Sequence, residues 1–372
     1  MKKICVFVST VCCIINGLAQ APVNYYNNAT ATGFALKSQL KRIITANHTP
    51  LSYTPGLWNL YNANDSINGF KDKYYENDGT ILDLYTEQPT NTDSFNFTPI
   101  TDQCGNYTNE GDCYNREHLI PQSYFDEQSP MKSDAFHVWP SDGKVNGNRG
   151  NYAFGIVALP DTTKTSSNGT KIGSSGVTGY IGTVAEPIDA FKGDVARAFF
   201  YFATRYEDLM DDFYTENTNV QARAMFDGST DQVFETNFLE ILYKWHLQDP
   251  VSNRETDLNN YIFMSQGNRN PYIDHPDYVT AVWFPELLHL KELELIAFRL
   301  YPNPATKNTV YIATKEKINL ITIHDLDGRL IKKDSNPKFD EEVYTLHNLQ
   351  KGVYLIQLKS DTKESTKKLI VE

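Results

Sequence analysis

The sequence predicts an α+β protein with a mostly helical main domain and a small all-β sandwich domain behind it. Residues 115–149 read as two strands and a helix start, which forms a central strand–strand–helix unit. After this unit, segments with helical apolar spacing outnumber strands. From about residue 298 the pattern changes to short alternating strands separated by turn residues. At 372 residues the chain is long enough for both domains.

The first strand of the central unit ends in a histidine beside a carboxylate. Glu117 and His118 are neighbours in the run NREHLIPQSYF, and Pro121 follows shortly after. Successive residues of a strand point to opposite faces. The two side chains can therefore serve one site only if the strand ends or bends here, which Pro121 permits.

The helix of this unit contributes a carboxamide and a guanidinium. Either Ser141 or Asp142 can cap it, because their side-chain oxygens accept the free N–H groups of a first helical turn. Asn146 then lies in the first or second turn, with Arg149 on the same face at i+3. The unit thus collects a histidine and a carboxylate from one side and two polar groups from the other.

This set suits hydrolysis of a phosphodiester at a divalent metal ion. His118 is the predicted general base, because the unperturbed pKa of histidine, about 6.5, lies near working pH. Glu117 and Asn146 offer oxygen ligands to a hard cation such as Mg²⁺, with Ca²⁺ or Mn²⁺ as substitutes. Arg149 either grips a phosphate with two N–H groups or forms a salt bridge on the helix surface.

Two other hydrolase classes do not fit. A zinc metalloprotease helix needs a second histidine four residues after the first, and the residues following His118 are Leu-Ile-Pro-Gln. A serine hydrolase needs a Gly-x-Ser-x-Gly elbow between a strand and a helix, which the sequence lacks. The net charge of -12 argues against a general nucleic-acid coat but allows a local cationic cleft.

The N-terminus and the cysteines indicate export. Residues 1–20 carry two lysines, an apolar run and small residues near Ala19, as a cleavable signal peptide does, and no other stretch is apolar enough to span a membrane. Without this segment, only Cys104 and Cys113 remain. A disulfide is the simplest reading of such a pair in an exported protein, and two unpaired thiols are the alternative.

The remaining segments follow from periodicity and turn residues. Apolar spacing predicts helices over residues 33–48, 186–210, 231–250 and 253–266. In the second of these, the apolar stripe predicted to face the core comprises Val195, Phe199, Phe202, Tyr206 and Leu209. Residues 80–87 alternate like a strand, residues 86–112 read as a long loop, and residues 161–182 read as an exposed loop or hairpin. Asp327-Gly328 predicts a hairpin in the tail.

The main domain resembles the endonuclease I family of secreted bacterial nucleases, which belongs to the ββα-metal (His-Me finger) group. The likeness lies in NREHLIPQSYF and HVWPSDGKVNGNRGNYAFG and extends through EPIDAFKGDVARAFFYFATRY to QGNRNPYIDHPDYV, covering about residues 25–285. It implies that His118 is the general base and that Glu117 and Asn146 bind a single metal ion. Asn146 matches the family position better than Asn151, because it lies six residues past Pro140. The implied activity is sequence-tolerant cleavage of DNA, often also of RNA, leaving 5′-phosphates.

The tail resembles the C-terminal sorting domain of the type IX secretion system. The resemblance runs from LYPNPA through LDGRLI and GVYLIQL to the lysine-bearing end KKLIVE. It implies export across the outer membrane, with removal of the tail on release or surface attachment. An ordinary β accessory module is the alternative.

These observations predict a signal peptide at 1–20, a nuclease domain at 21–297 and a sorting domain at 298–372. The protein is predicted to be a monomeric, secreted or surface-attached endonuclease whose partners are nucleic acid and the type IX machinery. Arg116, Arg149 and Arg269 are the predicted substrate contacts, and Arg149 is also a predicted catalytic residue. The competing hypothesis is a catalytically silent secreted module that binds nucleic acid or mediates adhesion.

Overall fold

The computed structural model describes residues 21–372 except 217, 292–295, 307–308, 326–327 and 362. The chain divides into two compact units, one ending at Phe284 and the other spanning Pro285–Glu372. The predicted signal peptide lies outside the described residues, and so does Asp327 of the predicted Asp327-Gly328 hairpin.

The first unit begins with two helices that precede the central unit. Helix α1 spans Gly33–Thr45 and buries Leu36, Leu40 and Ile44, as the apolar spacing predicts. Helix α2 spans Gly56–Asn62. The central unit itself consists of strand β1 (Tyr114–His118), strand β2 (Val138–Asp142) and helix α3 (Gly143–Arg149), with 3₁₀ turns at Gln122–Phe125 and Met131–Ser133 between the strands.

The two strands of the central unit pair in antiparallel register, with Glu117 opposite Trp139 and His118 opposite Val138. Asp142 is the last residue of β2 and caps α3, since its Oδ1 accepts a hydrogen bond of 2.8 Å from the backbone N–H of Val145. The helix therefore starts directly where the strand ends. This fixes α3 against β1 and brings their polar residues together.

Residues 80–87 do not form the predicted strand. Only Ile81 makes strand-like contacts, as isolated bridges, and the chain then turns. The cause is the buried carboxylate of Asp83, whose Oδ1 accepts from the backbone N–H groups of Tyr85 at 3.0 Å and Asp142 at 2.7 Å. Such local side-chain bonds compete with a sheet ladder. The prediction from alternation was wrong here, and the turn carries Tyr85 toward the central unit.

A four-stranded sheet follows α3, with the strand order β3-β6-β5-β4. Strands β4 and β5 pair antiparallel and form a hairpin that begins at Val157 and overlaps the segment 161–182 predicted as an exposed loop or hairpin. The four strands are β3 (Ala153–Phe154), β4 (Val157–Thr165), β5 (Lys171–Ser175) and β6 (Thr183–Glu186).

Helices make up the rest of the first unit, around the long helix α4. The predicted stripe on α4 is buried up to Tyr206, whereas Leu209 is 36% exposed because it lies in the 3₁₀ turn Glu207–Leu209 beyond the helix. None of the helices in the described part of the chain is long and apolar enough to cross a membrane. The helices are α4 (Asp189–Arg205), α5 (Met210–Glu216), α6 (Val220–Arg223), α7 (Thr236–Gln248), α8 (Asn253–Gln266), α9 (Pro271–Asp274) and α10 (Asp277–Trp283).

The second unit begins with helix α11 (Pro285–Lys291) and continues as the predicted all-β sandwich. One sheet has the order β10-β9-β12-β13 and the other β11-β8-β7, and residues of both sheets share a single apolar core. The strands are β7 (Phe298–Tyr301), β8 (Thr309–Thr314), β9 (Leu320–Asp325), β10 (Leu330–Ser335), β11 (Val343–His347), β12 (Gly352–Lys359) and β13 (Glu364–Val371).

Candidate active site

Glu117 lies on β1 as a buried carboxylate, only 2% exposed. Its Oε1 accepts a hydrogen bond of 2.5 Å from the hydroxyl of Tyr85 and lies 3.1 Å from Nη1 of Arg149. Burial raises the pKa of Glu117, while the charge of Arg149 and the Tyr85 hydroxyl act in the opposite direction. Oε2 takes no part in these two contacts, so one carboxylate oxygen is held in place by Tyr85 and Arg149 and the other can face a ligand.

His118 is the last residue of β1 and is 6% exposed. Its Nε2 lies 3.0 Å from the carbonyl oxygen of Lys132. A carbonyl can only accept a hydrogen bond, so Nε2 carries the proton and Nδ1 keeps its lone pair. Burial, and then the neighbouring His137, lower the pKa of His118 to about 3. The imidazole is therefore neutral at physiological pH, with Nδ1 as a proton acceptor.

Arg116 lies two residues before His118, and its guanidinium is packed between aromatic rings. The guanidinium carbon is 3.5 Å from the ring centre of Tyr53 and 4.4 Å from that of Trp58. Nη1 donates to the Tyr53 carbonyl at 2.6 Å and to Oγ1 of Thr54 at 2.9 Å. The same Tyr53 ring lies 5.8 Å from the His118 ring. The Tyr53 ring thus lies next to both the half-buried guanidinium of Arg116 and the ring of His118.

Asn146 projects from α3 toward β1. Its Nδ2 donates to Oδ1 of Asn115 at 2.7 Å and to the carbonyl of Arg116 at 3.2 Å. Because a backbone carbonyl accepts but cannot donate, these contacts fix which end of the amide is nitrogen. The other end, Oδ1, forms no hydrogen bond with the described residues and is a free oxygen ligand.

Arg149 also projects from α3 but is only 1% exposed. Besides its contact with Glu117, it donates to the carbonyls of His118 at 2.8 Å and Leu119 at 2.6 Å, and its guanidinium lies 4.6 Å from the Phe154 ring centre. A phosphate contact and a surface salt bridge would both need an exposed guanidinium. Neither expectation fits this burial, and Arg149 instead ties the end of β1 to α3.

Arg269 is likewise buried and does not present its guanidinium to a groove. Its Nε and Nη2 each lie 2.7 Å from a different carboxylate oxygen of Asp274, and Nη2 also donates to Oδ1 of Asn260 at 2.8 Å. The predicted substrate contact does not fit this arrangement, because the guanidinium is only 1% exposed and its Nε and Nη2 are bonded to Asp274 and Asn260. Arg269 is a structural residue of the α8–α9 corner.

The predicted disulfide between Cys104 and Cys113 is present. The segment that it closes leads directly into β1, and the carbonyl of Cys113 accepts a hydrogen bond of 2.9 Å from the backbone N–H of Gly143, the first residue of α3. The disulfide therefore lies beside the junction of the strand–strand–helix unit.

Several residues near the site were missed by sequence reasoning. Tyr85 lies on the segment misread as a strand, and Tyr53 belongs to the irregular chain before α2. Asp72, Glu76 and Glu87 form a group of three carboxylates that could hold a metal ion, and Glu87 is the last residue of that segment. No local pattern marks these residues, because each acquires its role through a contact distant in sequence.

Comparison with known proteins gave matches to both parts of the chain. The Endonuclease I family profile matches residues 32–277, and the profile of the secretion system C-terminal sorting domain matches residues 299–372. An extracellular ribonuclease of Bacillus amyloliquefaciens is 31% identical over 282 residues, covering 74% of this chain and 83% of the relative. An extracellular ribonuclease of Bacillus subtilis (strain 168) is 33% identical over 265 residues, covering 70% and 78%.

A more distant relative is the Endonuclease-1 of Buchnera aphidicola subsp. Baizongia pistaciae (strain Bp), which is 26% identical over 143 residues, 38% of this chain and 46% of the relative. The sorting domain and the extracellular relatives make this a secreted or cell-surface protein. Its main domain carries the matched region that contains the strand–strand–helix unit. The chain belongs to the endonuclease I family of nucleases.

Proposed function

We propose that the protein is a metal-dependent, largely sequence-non-specific endonuclease in which His118 is the general base. The observation that carries this proposal is the contact between Nε2 of His118 and the Lys132 carbonyl. That contact holds the proton on Nε2 and leaves the lone pair on Nδ1. Nδ1 can then remove a proton from a water molecule that attacks phosphorus. A bound phosphodiester adds negative charge beside the ring, which raises the pKa of the histidine toward a useful value.

The oxygens available on β1 and α3 fit a hard divalent cation such as Mg²⁺. Oε2 of Glu117 and Oδ1 of Asn146 would hold it, since carboxylate and carboxamide oxygens suit Mg²⁺ and its remaining positions keep water. When bound, the ion would supply positive charge to the phosphate and to the leaving oxygen. Tyr85 and Arg149 hold Oε1 of Glu117 and so orient the carboxylate.

Arg116 is the proposed contact for a substrate phosphate. Its Nη1 is bonded to the Tyr53 loop, but its Nε and Nη2 make no hydrogen bond with the described residues. A guanidinium fixed by stacking on aromatic rings loses little freedom when it binds a phosphate. This contact would be to the sugar-phosphate backbone of the substrate and not to its bases, which supports sequence-tolerant cleavage.

Both DNA and RNA are proposed substrates, cleaved to 5′-phosphate ends. Activation of water by a histidine does not need the 2′-hydroxyl of RNA, so the sugar does not decide the reaction. Two relatives carry the name extracellular ribonuclease and a third the name Endonuclease-1. The sorting domain is proposed to direct export by the type IX system and to be removed afterwards.

The test is cleavage by the purified protein of plasmid DNA and of structured RNA, each with Mg²⁺ and with EDTA. We expect cleavage of both only with Mg²⁺, and 5′-phosphates at the new ends. His118→Ala should lower turnover by about 10²–10⁴-fold while metal binding persists. His347→Ala, at an exposed histidine of the second unit, is the matched control. Intact substrates at neutral pH with Mg²⁺ would instead favour a silent binding or adhesion module.

A further inference from the structure

A second group of oxygen ligands lies outside the candidate active site. One carboxylate oxygen from each of Asp72, Glu76 and Glu87 lies within 4.8 Å of the others. Asp72 and Glu76 belong to one loop, whereas Glu87 follows the turn that carries Tyr85. Two chain segments therefore converge on one point with three acidic side chains and no histidine or cysteine.

These carboxylates have buried oxygens without partners. Asp72 and Glu87 are each 1% exposed. Oδ2 of Asp72, Oε2 of Glu76 and both carboxylate oxygens of Glu87 are buried without a hydrogen-bond partner. No ion pair joins any of the three to a lysine or arginine in the described part of the chain. Burying an unpaired carboxylate is costly, so a group of them needs a positive charge.

The backbone holds Asp72 in orientation. Oδ1 of Asp72 accepts from the backbone N–H groups of Tyr74 at 3.1 Å and Tyr75 at 3.0 Å, which leaves Oδ2 for another ligand. A fourth carboxylate, Asp93, stands close by and is bonded to the backbone N–H of Gln88 at 2.6 Å. Burial, Asp93, Asp72 and Glu76 raise the pKa of Glu87 to about 9, which reflects the negative potential at this point.

We propose that Asp72, Glu76 and Glu87 form a second cation site that takes Ca²⁺, separate from Glu117 and Asn146. An all-oxygen ligand set favours a hard cation over zinc or copper. The three carboxylate oxygens lie within 4.8 Å of one another, a separation that either Ca²⁺ or Mg²⁺ can bridge. Ca²⁺ is the better match because it takes several carboxylate oxygens in flexible geometry, whereas Mg²⁺ usually keeps several waters and binds only one or two carboxylates. Extracellular calcium sites typically bind with dissociation constants of about 10⁻⁴–10⁻³ M.

This site braces the candidate active site. A cation here joins the loop of Asp72 to the segment ending at Glu87, which has no strand of its own to hold it. The same segment carries Asp83, bonded to the backbone of Asp142, and Tyr85, bonded to Glu117. Calcium therefore stabilises the segment that holds Glu117, the proposed ligand of the catalytic metal.

Thermal unfolding and equilibrium dialysis of the full chain with ⁴⁵Ca²⁺ test the site. In calcium at one hundred times its dissociation constant, we expect the wild-type Tm to rise by about 5 °C relative to EDTA. Glu87→Gln and Asp72→Asn should lose most of this rise and one equivalent of bound calcium. Because burial and its acidic neighbours raise the pKa of Glu87 to about 9, the folded state disfavours its charged form, and a neutral amide here should leave the Tm in EDTA no lower than that of the wild type. Glu240→Gln, at an exposed position on α7, is the control and should respond as the wild type does.

Asn146→Ala separates this site from the proposed catalytic one, since the calcium-dependent rise in Tm should survive it even if cleavage is lost. Equal calcium binding and equal Tm shifts in the wild type and Glu87→Gln would overturn the proposal. The absence of calcium binding to the wild type at about 10 mM Ca²⁺, roughly ten times the weakest dissociation constant expected, would also overturn it. In that case the three carboxyl groups are neutralised by protonation and not by a bound cation. None of these readouts uses nuclease activity.

Discussion

The hydroxyl of Tyr85 donates a hydrogen bond of 2.5 Å to Oε1 of Glu117, across 32 positions of sequence. Nη1 of Arg149, on helix α3, lies 3.1 Å from the same oxygen. One carboxylate oxygen is thus held by a phenol and a guanidinium, and the other remains available. A carboxylate that would bind metal is oriented by partners from outside its own strand, and these partners set its geometry.

Removing that phenol should weaken the proposed metal site. In Tyr85→Phe we expect the dissociation constant for Mg²⁺ to rise about 10–100-fold, because Glu117 loses a donor that orients it. The measurement is isothermal titration of Mg²⁺ into each protein, alongside cleavage at saturating metal. Tyr243→Phe removes a comparable hydroxyl contact, with Thr280, and serves as the control. Unchanged Mg²⁺ affinity in Tyr85→Phe would show that the phenol does not position the ligand.

Arg149→Ala should destabilise the fold. Removing one partner of a buried ion pair typically costs about 3–5 kcal/mol, because the other charge stays buried and unpaired. Two backbone carbonyls at the end of β1 also lose their donor. Urea unfolding monitored by circular dichroism measures the change in unfolding free energy. Wild-type stability combined with weaker substrate binding would instead support the phosphate contact expected from sequence.

Arg116→Ala should weaken nucleic-acid binding, in contrast to the loss of stability expected for Arg149→Ala. The guanidinium is half-buried, and its Nε and Nη2 are free to bind a phosphate. Its loss should therefore weaken nucleic-acid binding to a similar degree for all sequences. The slope of log K against log salt concentration should fall by about the value of one phosphate contact. Binding to a catalytically inactive background such as His118→Ala, measured by fluorescence anisotropy at several salt concentrations, tests this. Arg329→Ala, at an exposed arginine of the second unit, is the control. A salt slope equal to that of the background protein would contradict the assignment.

The acid stability of the protein should depend on His246. Burial, and then the neighbouring Arg197, lower the pKa of His246 to about 4, below its ordinary value of about 6.5. The folded state therefore favours neutral histidine, so its contribution is fully present above pH of about 6.5 and is lost as the pH falls toward 4. His246→Gln should reduce the loss of unfolding free energy between pH 7 and pH 5 by about 2 kcal/mol. Urea unfolding at both pH values measures it.

The control for this titration is His347→Gln, at an exposed histidine, which should leave the pH dependence as it is in the wild type. Other buried histidines, such as His137, whose pKa burial lowers to about 4, continue to contribute in every variant. Identical losses of stability in the wild type and His246→Gln would contradict the prediction.

Local patterns accounted for the elements that depend on neighbouring residues. The helices α1, α4, α7 and α8 follow from apolar spacing, and the order strand–strand–helix follows from the cap at Asp142. The Cys104–Cys113 bond joins positions only nine apart, and the alternating strands of the tail form the expected sandwich. In each case the information lies within a few turns or strands of the chain.

By itself, the sequence determined which residues could do chemistry, namely Glu117, His118 and Asn146, and the family to which they point. Only the tertiary structure decided which arginines remain reachable, since burial of Arg149 and Arg269 depends on partners brought together by packing. It also decided that residues 80–87 turn, and that Glu87 at the end of this turn meets Asp72 and Glu76 of a preceding loop. Exposure and convergence are properties of the packed chain, and no local spacing carries them.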